Sequence, residues 1–258
     1  MSIFFCGDPH GNFDHIVRAV QQFKPAAVVL LGDLQPQEPL QVALDDIIRH
    51  TEIWWIHGNH DTDSEADAHN LFASELTDRN LHGRVVEIDG LRIAGLGGIF
   101  RGKVWYPPED ALYQSYADFV ESLNSSRPNW TNSVEHASNL EQATRDGKMR
   151  QHLSSIFPDV YLKLVGQRAD ILVSHEAPSC HPHGFDAIDE LARSMSVTKS
   201  FHGHHHDRLD YAGHWPSLSF QAHGVGFRGI VDQDGNEINK GKFDEQRAGR
   251  MNEKSLLT

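Results

Sequence analysis

Five short clusters in this 258-residue chain carry side chains able to hold a metal ion or move a proton. They are Asp8-Pro9-His10, Gly32-Asp33, Gly58-Asn59-His60-Asp61, His175, and Gly203-His204-His205-His206-Asp207. Imidazoles, carboxylates and an amide are the donor types of a transition-metal site. Each cluster alone has a plainer reading. An aspartate after glycine is usually a turn residue. Asn59 to Asp61 suits the start of a helix. A lone histidine such as His175 is more often simply hydrogen-bonded. The histidine run at 204–206, taken by itself, favours a solvated loop, and it lies too far inside the chain to be a terminal tag.

The elements that must position these residues change that balance. Residues 2–6, 26–31 and 53–56 are short apolar runs that read as buried strands. Between them, 13–23 and 39–49 carry apolar residues at helical spacing. This β-α-β-α-β order predicts a parallel sheet with right-handed crossovers. Residues 84–88 and 91–94 flank Asp89-Gly90, a hairpin signal. A mostly helical insertion is expected at 101–168, with a loop at 125–128. Strands at 171–174 and 197–201, a helix at 184–195, and strands near 217–223 and 226–231 follow. A single domain is expected over 1–258, with a polar tail from about 240. Every polar cluster then falls at the end of a predicted strand. In open α/β sheets ligands bind beyond those ends, so residues distant in sequence converge there. Jointly, the clusters favour a metal site.

In this order, D-x-H, G-D, G-N-H-D, H and G-H-x-H, the motifs resemble those of the calcineurin-like metallophosphoesterases, over residues 7–206. The resemblance implies a four-layer α-β-β-α sandwich of two mixed sheets. It also implies two metal sites, with Asp8, His10 and His206 on the first, Asn59, His175 and His204 on the second, and Asp33 bridging through its two oxygens. Such a set, without thiolate, suits two divalent transition metals such as Mn, Fe, Zn, Co or Ni rather than Ca or Mg. His205 becomes a spacer expected to point away. His60 would contact the phosphate and protonate the leaving oxygen, with Asp61 orienting its imidazole. The implied activity is hydrolysis of a phosphate ester by a metal-bridging hydroxide, a monoester of a small molecule or phosphoprotein being favoured. The alternatives are a phosphodiesterase for cyclic or bis-nucleotides and a non-catalytic scaffold on the same fold.

One departure bears on substrate. The opening motif also resembles that of the serine/threonine phosphoprotein phosphatases, whose G-D segment goes on to a phosphate-gripping arginine. Here Gly32-Asp33 continues Leu34-Gln35-Pro36. Arg101 and Lys103 are candidate replacements, beside Asn59 and His60, for gripping the phosphate. Trp105 and Tyr106 are expected to pack in the insertion rather than to stack on a base. His181 and His183 are expected on a surface loop, Cys6 in the core, and Cys180 on a loop, open to oxidation.

Composition sets the outer bounds. A net charge of −13 argues against binding long nucleic acid. Two cysteines without a CxxC spacing argue against a disulfide framework and fit a reducing cytoplasm. No apolar run approaches membrane-spanning length, and the first residues lack a secretory signal.

Overall fold

The computed structural model describes residues 2–125 and 135–246, with side chains outside 126–141. Ten strands form two five-stranded sheets. The first sheet has the order β10-β9-β1-β2-β3. Here β1 is Ile3–Cys6, β2 Ala27–Leu31, β3 Glu52–Ile56, β9 Ile230–Asp232 and β10 Glu237–Asn239. The second sheet runs β4-β5-β6-β7-β8. Its strands are Arg84–Ile88, Leu91–Leu96, Ile171–Ser174, Lys199–His202 and Gln221–Gly224. Strands β1, β2 and β3 are mutually parallel, as are β5 to β8, while β4 pairs antiparallel with β5, β9 with β1 and β10 with β9.

Alternation along the buried strands sorts residues into layers. Ile3 and Phe5 of β1 face the second sheet, where they join Val29, Ile56, Val173 and Phe201. Phe5 and Phe201 stack across the gap with ring centroids 4.0 Å apart. Phe4 and Cys6 point the other way, into a core with Ile16 and Val20 of helix α1 (Asp14–Phe23). On the outer face of the second sheet, Leu172 packs with Ile188 and Leu191 of a later helix, Asp186–Ser194. The result is the expected four-layer α-β-β-α arrangement.

Local differences have local causes. The helix expected at 39–49 is regular only over α2 (Leu40–Ala43), and turns continue to residue 50. Leu40, Leu44 and Ile47 are buried as their spacing requires. The regular helix stops before Asp45-Asp46, weak helix formers that compete for backbone hydrogen bonds. Helix α3 (Glu65–Phe72), unexpected from its weak periodicity, is started by a Ser64/Asp67 capping box. The strand expected from 217 begins at Gln221, because Trp215–Leu218 form a helical turn started by Pro216 (α8). Strand β10 was not expected; Asn236 and the Asp232 carboxylate close its hairpin.

The insertion is helical where expected, through α4 (Tyr116–Ser125), α5 (Glu135–His152) and α6 (Pro158–Leu164), with α7 (Asp186–Ser194) following β6. Residues 101–115 are irregular. Most of the loop expected at 125–128, Trp130, and the tail beyond 246 lie outside the described residues. Trp105 packs edge-on against Phe100 and Tyr161, as expected of a core residue. Among the described residues no helix is long and apolar enough to cross a membrane.

Candidate metal centre

The loops after β1, β2, β3, β6 and β7 bring Asp8, Asp33, Asn59, His175 and His204 to one end of the sandwich. Donor atoms of Asp8, His10, Asp33 and His206 lie within 4.8 Å of one another. Those of Asp33, His175 and His204 form a second such group, so Asp33 belongs to both. Asn59 joins the second group, its Oδ1 lying 3.3 Å from His175 Nε2. Asp8, His10, Asp33, His204 and His206 all have positive φ, a conformation uncommon for residues with a side chain. Such strain collects at functional sites, where surrounding structure holds it. The intervening glycines have their own reason. A Cβ at Gly58 would strike the Asp33 carboxylate, and one at Gly203 the Asp8 carboxylate.

Each carboxylate is divided in the same way. Asp33 Oδ1 accepts the His60 backbone N–H at 2.8 Å, and Asp8 Oδ1 accepts that of His204 at 3.2 Å. Their Oδ2 atoms are buried and accept no hydrogen bond. Imidazole nitrogens crowd them instead. His206 Nε2 is 3.2 Å from Asp8 Oδ2, and His175 Nε2 and His10 Nε2 are 3.4 and 3.8 Å from Asp33 Oδ2. Asp33 Oδ2 is thus the oxygen set among imidazoles of both groups, while Oδ1 holds the His60 amide.

The imidazoles are oriented from behind. His175 Nδ1 lies 2.7 Å from the Leu31 carbonyl, and His10 Nδ1 lies 2.6 Å from Gln35 Oε1. Both partners accept, so each Nδ1 carries the proton and each Nε2 turns a lone pair into the site. His10 Nε2 and His206 Nε2 face each other at 3.1 Å. Buried carboxylate oxygens without donors, set among converging lone pairs, fit a pair of divalent cations. Without them, burial resists ionisation of Asp33, but the charge of His175 holds its carboxyl below the usual range.

The rim departs from expectation at Asp61. Its carboxylate is buried and accepts the N–H groups of Leu34, Gln35 and Gly58 at 2.6, 2.8 and 2.8 Å. It ties the Asp33 loop to the Asn59 loop and does not orient His60. That contact comes from Asp63, whose Oδ2 is 2.6 Å from His60 Nδ1. The one-turn helix His60–Thr62 turns Asp61 inward and brings Asp63, three residues on, back over the imidazole. Burial disfavours protonation of His60, but the bond to Asp63 and the charge of Asp33 hold its pKa above the ordinary value.

Arg101 is also differently employed. Its Nη1 donates to the Ser154 carbonyl, to the hydroxyls of Ser154 and Ser155 and to the Gln151 carbonyl, at 2.8–3.3 Å. It fastens the base of the insertion, while Lys103 stands exposed. His181 is buried rather than on the surface, because its ring stacks on His205 at 3.8 Å; His183 is exposed as expected. Burial raises the Cys180 thiol to about 11, which lowers its thiolate fraction. Cys6 is buried as expected.

Sequence reasoning missed three contributors. Gln35 and Asp63 carried a signal in their short spacing from Asp33 and His60. Phe227, packed 5.4 Å from the His10 ring and 4.9 Å from that of His206, carried none.

The family model for calcineurin-like phosphoesterases matches residues 1–208. The chain belongs to this family. Membership brings a metal-dependent phosphoester hydrolase with two divalent ions, and the two groups that share Asp33 offer places for them. An uncharacterized Haemophilus influenzae protein is 40% identical over 236 residues, covering 92% of this chain and 96% of its own. The TT1561 protein of Thermus thermophilus superposes with a TM-score of 0.53 at 13% identity, covering 93% of this chain and 98% of that one. At that identity the likeness is one of fold.

Proposed function

We propose that the chain hydrolyses phosphate esters, monoesters ahead of diesters, with Asp8, His10, Asp33 and His206 holding one divalent transition metal and Asp33, Asn59, His175 and His204 the other. The observation that supports this most is the pair of buried, donor-free carboxylate oxygens facing imidazole nitrogens from both sheets. The ions, when bound, supply Lewis acidity and lower the pKa of water.

The chain's own groups do the rest. Asn59 and His60 contact the phosphate, and His60, at the rim, delivers a proton to the leaving oxygen. Asp63 keeps that imidazole protonated on Nδ1 and aimed. Arg101 has its Nη1 committed to the insertion and acts on the substrate indirectly, by holding that segment beside His60. Thr62 Oγ1 meets Ser154 Oγ at 2.7 Å, so the end of the insertion's long helix rests against the turn that carries His60. We take the insertion as the element that selects the substrate.

The test is turnover of metal-stripped, reconstituted protein on a panel of monoesters, cyclic nucleotides, bis-nucleotides and phosphopeptides. Metal-dependent turnover with monoesters fastest is expected. Faster cleavage of diesters would reverse the order. Two bound metals without turnover on any member would favour a scaffold.

A further inference from the structure

Beside the paired groups lies a cluster that they do not use. The donor atoms of Glu176, His204 and His205 lie within 4.8 Å of one another. Glu176 is 3% exposed. Its Oε1 accepts the Phe100 N–H at 3.0 Å, and its backbone carbonyl accepts the Ser174 hydroxyl at 2.7 Å. Burial acts against ionisation of this carboxylate, while the Phe100 amide and the charges of His175 and Arg101 act for it.

His205 is held just as firmly. Its ring lies nearly parallel to that of His181, at 15°. His181 is fixed in turn, since its Nδ1 accepts the His183 N–H at 3.1 Å and its Nε2 stands 3.6 Å from Asp207 Oδ2. The spacer of the G-H-x-H motif is thus gathered with a carboxylate and a fixed imidazole.

We propose that Glu176, His204 and His205 form a third cation site, in which His204 serves this cation and the pair together as an imidazolate, one ring nitrogen to each, its N–H proton being released to solvent. Two imidazoles and a carboxylate on one side of a cation, the rest of its sphere completed by water, suit Zn, Mn or Fe and lack the all-oxygen set that Ca or Mg favours. Glu176 is bonded to Phe100, next to Arg101 where the insertion begins, and His204 belongs also to the Asp33 group. A cation there ties the ligand loops to the base of the insertion through Glu176. The proposal rests on the paired reading only in sharing His204.

The experiment is metal titration of the full chain, stripped by chelation and then saturated with Zn or Mn. Metal content is measured by elemental analysis and sites are located by anomalous scattering. Wild type is expected to saturate at three ions, and Glu176→Gln and His205→Ala each at two, with the lost peak beside Glu176. Saturation of wild type at two ions, or a third ion that survives either variant, would overturn the proposal. Circular dichroism checks that both variants fold, and the more conservative Glu176→Gln carries the test if His205→Ala does not. Asp33→Asn examines the pair separately. Unchanged metal content there would sink the paired reading, whatever the peak beside Glu176 does.

Discussion

Asp61 and Asp63 stand two residues apart and have opposite tasks, which makes them the sharpest test of the rim. Asp61→Asn puts an amide NH2 among three backbone donors. It should cost on the order of 2–4 kcal/mol of stability and loosen metal retention, read by denaturant midpoint and metal content. Asp63→Asn should leave both nearly unchanged, because Asp63 is exposed and bonds only the His60 imidazole and its own turn. Its effect should appear in turnover, and more on an alkyl phosphate than on p-nitrophenyl phosphate, whose leaving group scarcely needs a proton. His60→Ala should show the same pattern more strongly, losing about 10²–10⁴-fold on the alkyl substrate. An equal loss on both substrates would make His60 a phosphate-binding group only. If instead Asp61→Asn gave the leaving-group dependence and Asp63→Asn the instability, the roles would be reversed.

At the scale of elements, both sheets must keep their strand ends level for the two ligand groups to meet. Phe5 and Phe201 stack between the sheets, and Phe201 is two residues from Gly203. Phe201→Ala should destabilise the fold by about 3–5 kcal/mol and weaken metal binding in the same step, since the loop after β7 carries His204 and His206. A stable variant with weakened metal binding would mean that the stack aligns the loops without supporting the core. Arg101 ties the two ends of the insertion together through Ser154 and Ser155, and Ser154 meets Thr62 of the turn after β3. Arg101→Ala should speed amide exchange over 150–156 and raise KM more than it lowers kcat. The reverse split would return Arg101 to direct work on the transition state.

For the whole molecule, acid sensitivity should come partly from a buried histidine that is not among the candidate ligands. Burial first, then the charges of Arg228 and Arg18, lower the pKa of His15 from 6.5 to about 4. A depressed histidine contributes stability while neutral. That contribution is fully present above the unfolded pKa near 6.5 and is lost as pH falls toward 4. At about 1.4 kcal/mol per pKa unit, the loss approaches ~3 kcal/mol. His15→Phe should therefore flatten the acid limb of stability against pH, and the gap between wild type and variant should close or reverse between pH 6.5 and 4. Parallel curves across that window would show that His15 does not titrate there.

How much of this could be read in advance follows from the range of the forces involved. Short apolar runs ending in Gly-Asp, Gly-Asn-His-Asp and Gly-His-His-His were enough for the family, the layered sandwich and the seven candidate ligands, because strand burial and turn chemistry are local and periodic. They were also enough for the helical insertion. Tertiary structure alone decided which oxygen of Asp33 faces the two groups, since that depends on the His60 amide arriving from another strand. It decided that Asp61 binds three amides and that Asp63 takes the His60 ring, because the direction of a one-turn helix is set by what it packs on. It turned Arg101 into a fastener through acceptors some fifty residues later in the chain. It also brought Phe227 against His10 and His206, and Glu176 against His205. No periodicity encodes such meetings; they arise when two sheets close on one core and their loops must share the space at its end.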